Sequence, residues 1–362
     1  MIFRRKKAAG LGALVDELEQ AVAARDGERT ERAFGAVMQG LPEAPDGELV
    51  AAGPRLAALL PDFPPVGPRP YLAHAAGYCV ERGADPRACA GPVLDAVRRD
   101  LADALEFAAR WRAAQGAGAE LPEPDEESID EALLARVGGD DEYEALRLAL
   151  AWCSVENWQP PALAVLLGDA EVRRRHRAAL LPLCQEVAAL EAHDLKCLAY
   201  ALAVLDDEPV IVLHRPSGKA FEVRIGGIGD NFQLHTLLAH VLVGGGHVPG
   251  VAPSAESVRL ATDPAPAQGR TDTVATGAFE LLAPDGGRIW NEGLPDDIPV
   301  VEGRRLLVLD EPLYARSWNA DRFFPNLPGS AELTRVLTDE EARSWFARTS
   351  AAVARGQGQE KS

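Results

Sequence analysis

Residues 226–247, GGIGDNFQLHTLLAHVLVGGGH, gather the residue types that can do chemistry: glycines, an acid and three histidines around one apolar segment. A glycine-rich turn before a helix can hold phosphate on free backbone N–H groups. Gly226, Gly227 and Gly229 offer such a turn, but Phe232 stands where a dinucleotide-binding turn needs its third glycine. No Walker lysine follows either. Asp230 would place its own carboxylate where the anion should sit. As a helix N-cap, with Gln233 three residues on, Asp230 explains the local sequence without a ligand.

A helical metal pair needs i,i+4 spacing, whereas His235 and His240 are i,i+5 and fall roughly 140° apart at 100° per residue. His247 lies beyond three glycines. These histidines therefore read as capping or surface groups, with no metal and no cofactor. On the same wheel Leu234, Leu237, Leu238 and Val241 form the buried stripe. His193 and Cys197 do have i,i+4 spacing but lack the further ligands a structural zinc requires, and Cys197 is expected to be packed. For an enzyme, Asp230, His235 and His240 would be the acid–base candidates. No G-x-S-x-G nucleophile motif occurs. Asp310 and Glu311 end a strand, but neighbouring strand residues point to opposite faces.

A second constellation lies downstream in IWNEG (289–293) and RSWNADRFFPN (316–326), each placing Asn beside Trp. The candidate binding residues are Trp290, Asn291, Glu292, Tyr314, Arg316, Trp318, Asn319, Asp321 and Arg322. Trp, Tyr and Arg dominate interaction hot spots, and the same types line small-molecule pockets.

The elements that position these residues follow from periodicity. Up to about residue 205 the apolar spacing is helical. Leu11, Leu14, Val15, Leu18 and Val22 form one stripe; Phe34, Val37, Met38 and Leu41 form the next. Pro54 fits a helix start, and helices are expected over 69–83, 92–112, 142–154, 160–168, 170–192 and 193–204, with a break at Pro182. Ser128 and Glu131 read as a capping box. DDEP (206–209) marks a boundary, after which the period becomes two. VIVLH (210–214) and AFEVRI (220–225) are strands of a hairpin, followed by a helix over 231–243. Further strands are expected at 257–261, 276–284, 298–301 and 304–312, and a closing helix at 339–354. The fold class is therefore a two-domain α+β protein. An all-helical, acidic N-terminal domain of antiparallel helix pairs covers 1–208, a smaller α+β domain with a mostly antiparallel sheet covers 209–352, and 353–362 form a disordered tail.

The 362 residues carry a formal charge of −18. Residues 1–208 hold 22 Lys+Arg against 36 Asp+Glu (−14), and residues 209–362 hold 15 against 19 (−4). Such acidity opposes binding to nucleic acid and to an anionic membrane. No run of about 18 apolar residues occurs, and the first twenty residues lack a secretory cleavage pattern. Five cysteines cannot all pair within one chain, which fits reduced thiols in the cytoplasm. The excess of Arg over Lys fits a GC-rich bacterial genome. The expected function is a cytoplasmic bacterial interaction or scaffold protein that meets a protein partner through 289–326. The alternative is an enzyme or small-ligand-binding protein, with a pocket between helix 231–243 and the two Trp-Asn loops and Arg322 holding an anionic substrate.

Overall fold

Helix-period segments fill the first two hundred residues and strand-period segments follow, so the chain is a two-part α+β fold. The computed structural model describes residues 10–63, 69–116, 118–138, 141–263, 272–320 and 322–350. The expected tail at 353–362 lies outside the described residues. The chain divides into two compact units, Met1–Leu202 and Ala203–Ser362.

The first unit contains helices α1 (Leu11–Ala23), α2 (Gly27–Gly40), α3 (Asp46–Ala58), α4 (Arg69–Glu81) and α5 (Pro86–Gln115). It continues with α6 (Glu131–Gly138), α7 (Glu142–Ser154), α8 (Gln159–Gly168), α9 (Ala170–Ala188) and α10 (Lys196–Ala203). Aspartates 26, 85, 141 and 169 cap α2, α5, α7 and α9 by accepting backbone N–H bonds, the usual service of an acid at a helix start. Three sequence expectations change here. Pro54, Pro92 and Pro182 lie inside α3, α5 and α9, neither starting nor breaking them. Each removes the donor to the carbonyl four residues back, and those residues, Val50, Ala88 and Ala178, are all exposed to water. Asp130, not Ser128, accepts the first-turn N–H of α6, from Leu133; Ser128 bonds the Asp125 carbonyl instead. Cys197 is exposed on the first turn of α10, because Leu198, Ala201 and Leu202 take the buried side.

Asp100 is among the buried polar groups of this unit. Asp100 on α5 accepts a hydrogen bond from Trp158 Nε1 at 2.7 Å, with Arg69 of α4 at 4.0 Å. Burial outweighs both partners and raises the Asp100 carboxyl to about 6.

The second unit is built on a sheet of β1 (Glu208–His214), β2 (Lys219–Gly226), β4 (Glu280–Leu282), β5 (Val300–Val301), β6 (Arg304–Asp310) and β8 (Ser330–Val336). The order is β4-β6-β1-β2-β8, with β5 also on β6. β1 and β6 run parallel, and the other pairs are antiparallel. A separate two-stranded sheet joins β3 (Val274–Thr276) to β7 (Ser317–Asn319). Helices α11 (Asn231–Ala239), α12 (Ala255–Thr262) and α13 (Asp339–Phe346) complete the unit. Strand alternation sends Val210 and Val212 into one apolar layer with α11. Ile211 and Leu213 go into the other, with Ala342 of α13.

Residues 257–261, expected as a strand, belong to α12, because Ser254 caps the segment by accepting the Ser257 N–H. The expected 276–284 strand splits into β3 and β4 in different sheets. The closing helix ends at Phe346.

Candidate functional site

The glycine turn serves close packing. Gly227 has φ +65°, and a Cβ there would lie 1.9 Å from the Pro328 carbonyl oxygen. Its N–H bonds the Leu205 carbonyl. At Gly329 a Cβ would lie 2.2 Å from the Gln233 amide nitrogen. The turn is closed by neighbouring backbone, which occupies the place a phosphate would need.

Asp230 caps α11 as its spacing indicates: Oδ1 accepts the Gln233 N–H at 2.7 Å and Oδ2 accepts the Phe323 N–H at 3.0 Å. Burial raises its pKa, while those backbone donors hold it down. Gln233 spans the turn, accepting from Gly229 N–H and donating to the Ala261 carbonyl. Asn231, fully buried, ties the helix start to the Trp290 loop. It donates through Nδ2 to the Trp290 and Leu294 carbonyls and through its backbone N–H to Gly293.

His235 overturns the surface reading. Its relative exposure is 0%, because α11 is enclosed on all sides and has no single buried stripe. Its Nε2 accepts N–H bonds from Ala278 at 2.7 Å and Phe279 at 3.2 Å. Its ring lies 5.6 Å from that of Phe279 and 5.0 Å from that of Trp318. Burial, then the nearby Arg316 charge, pushes its pKa down to about 3. His240 is exposed at the far end of the helix, where the chain passes into a π turn over His240–Gly244. Asp230, His235 and His240 thus have separate environments, and none of the bonded partners of His235 is Glu292 or Arg322. Among the described residues no group of three or more His, Cys, Asp or Glu is placed to hold a metal ion.

The aromatic constellation does assemble a site. A groove of about 430 Å³ runs between the segment 288–292 and the segment 314–318, with Phe232 of α11 also lining it. Trp290, Asn291 and Glu292 come to it from one side, and Tyr314, Arg316 and Trp318 from the other. Trp290 is 66% exposed and Tyr314 58%. Trp318 packs inward on Phe232, ring centres 5.2 Å apart. Below lies Glu280, only 3% exposed, paired with Arg288 at 2.6 Å and Arg316 at 2.9 Å. Arg316 also faces the Tyr314 ring at 5.6 Å.

Two expected members stand apart from the groove. Arg322 is committed to the backbone carbonyls of Leu327, Pro325 and Asp263, so it anchors its own loop. Asn319 is exposed on β7 opposite Val274. Asp321 lies outside the described residues. Conversely, Phe232, Glu280 and Arg288 were not singled out in the sequence. Glu280 carries the one local signal, a charge inside the apolar strand segment FELL, where burial demands a partner.

No protein-family model matches the chain, and neither a curated protein nor a solved structure matches it. The geometry of the groove is therefore the ground for a functional reading. Among the described residues no helix is long and apolar enough to cross a membrane.

Proposed function

We propose that this chain is a cytoplasmic protein-interaction module whose contact surface is the aromatic groove of the second unit. The observation that carries the reading is the exposure of Trp290 and Tyr314 on a groove with a packed lining. A soluble fold gains nothing from leaving two large rings in water, and a partner that covers them recovers about 25 cal/mol per Å² of apolar surface. The setting resembles a hot spot: rings and guanidinium at the centre, with Asn291 and Glu292 as polar neighbours. The three acid–base candidates do not converge on this groove, so binding is favoured over catalysis.

The test is affinity capture from the native host with the full chain and with a Trp290→Ala/Tyr314→Ala variant. Both rings are exposed, so the variant should keep its circular dichroism and melting temperature. The expected result is a specific partner that the variant loses. A partner set unchanged in a folded variant would remove the groove from the interaction.

A further inference from the structure

We infer that the groove takes an extended peptide, added as a strand against β7, with an acidic side chain directed at Arg288. This rests on the docking reading above and specifies how the partner binds.

Hydrogen-bond parity on the two walls carries the inference. In an antiparallel pair, alternate residues turn both backbone groups towards the neighbour and the rest turn them away. Gly277 N–H bonds the Arg316 carbonyl and Ala320 N–H bonds the Thr273 carbonyl, so 316, 318 and 320 face β3. Ser317 and Asn319 therefore turn their N–H and C=O outward, where no described residue takes them. The opposite wall repeats the pattern. Ile289 N–H bonds Leu281 and Ala283 N–H bonds the Gly287 carbonyl, so 287 and 289 face β4 and its turn. Arg288, bridged to Leu282, turns its backbone groups away. Arg288 and Ser317 both line the groove. Unpaired strand edges are templates for another chain, and an extended peptide satisfies both the backbone groups and the rings, with main-chain bonds giving affinity and side-chain pockets giving selectivity.

Charge sets the peptide's chemistry. Arg288 and Arg316 share the buried carboxylate of Glu280, and Arg288 is the more exposed of the two guanidiniums. Glu292 is already engaged within the protein. A guanidinium carries five N–H donors, and Arg288, half-buried on the groove wall, spends only part of them on Glu280, so an Asp or Glu of the peptide can accept the rest.

The probe is a phage-displayed library of random twelve-residue peptides, panned on the full chain and counter-selected on the Trp290→Ala/Tyr314→Ala variant. The best binder is then synthesised and its affinity measured by fluorescence polarisation. Single backbone N-methylations should weaken binding about tenfold at every second residue, since each removes one edge hydrogen bond. Replacing the selected Asp or Glu by Asn or Gln should weaken it similarly. Ser317→Pro should do the same while leaving the melting temperature unchanged, because that N–H faces away from β3 and an edge position tolerates proline. A binder that needs Trp290 and Tyr314 but shows no alternation with N-methylation would overturn strand addition and leave the docking reading standing. A binder without a required acid would overturn the charge assignment. A library that yields no groove-dependent binder overturns the peptide inference, while partner capture by the whole chain still decides the docking reading independently.

Discussion

A buried imidazole that accepts two backbone N–H groups on Nε2 must carry its own proton on Nδ1. His235 is in that state, and its Nδ1 has no hydrogen-bond partner among the described residues. Its role follows from these bonds: it satisfies the Ala278 and Phe279 amides and backs the Trp318 ring beside the groove. His235→Leu strands both amides and should cost about 2–4 kcal/mol in urea unfolding. The pH dependence has a definite sign. The folded pKa, about 3, is below the ordinary value of about 6.5, so the unfolded chain takes the proton first. Stability is lost as pH falls from about 6.5 towards 3, by at most about 1.4 kcal/mol per unit. The leucine variant should lose that part of the slope between pH 7 and 5; an unchanged slope would contradict the assignment. The sequence showed the Asp230 cap, because a cap is a local bond. It did not show the burial of His235, because the second wall around α11 comes from residues 278–279 and 318, remote in the chain.

At the scale of elements, local pattern and tertiary pairing divide the outcome. Helix α7 spans 142–154 as expected, β2 keeps its alternation, and β1 and β6 are strands where the sequence puts them but are buried on both faces. β8 was missed because it is an edge strand with alternating half-burial and charged residues, SAELTRV. β7 was missed because three residues in an aromatic run become a strand only by pairing with β3. The 257–261 segment alternates like a strand, and its capping serine decides for helix. Of the site, the aromatic members were legible by type, but the supporting Glu280 and Arg288 depend on how two sheets approach. Gly227 and Gly218 provide a paired test. Both have positive φ, +65° and +68°, but a Cβ at Gly218 meets nothing within 4 Å. Gly218→Ala should cost about 1–2 kcal/mol, the left-handed penalty alone. Gly227→Ala must also displace the Pro328 carbonyl and should lose more than about 4 kcal/mol or fail to fold. Equal thermal melting losses would show that the close approach to Pro328 is unimportant.

Across the whole molecule, Asp100 of the first unit and His235 of the second answer to pH with opposite sign. Asp100 in the first unit has a folded pKa of about 6, above the ordinary 3.9 or so, so the folded state holds the proton longer. Its effect is to reduce stability as pH rises from about 4 to 6, the reverse of His235 in the second unit. Asp100→Asn removes that titration and keeps an acceptor for Trp158. Relative to the parent, the variant should gain up to about 3 kcal/mol between pH 4 and pH 7 in calorimetry. A difference independent of pH would place the Asp100 titration elsewhere.

The parallel β1–β6 pairing also bears on the order in which the second unit can be made. β1 and β2 leave the ribosome together as a hairpin, but both outer neighbours lie far downstream: β6 begins at Arg304 and β8 at Ser330. During synthesis the hairpin emerges with both flanks bare, and contacts this distant in sequence are slow to form. The nascent chain therefore has a long interval in which a chaperone, or a neighbouring nascent copy, can occupy the edges that β6 and β8 finally cover.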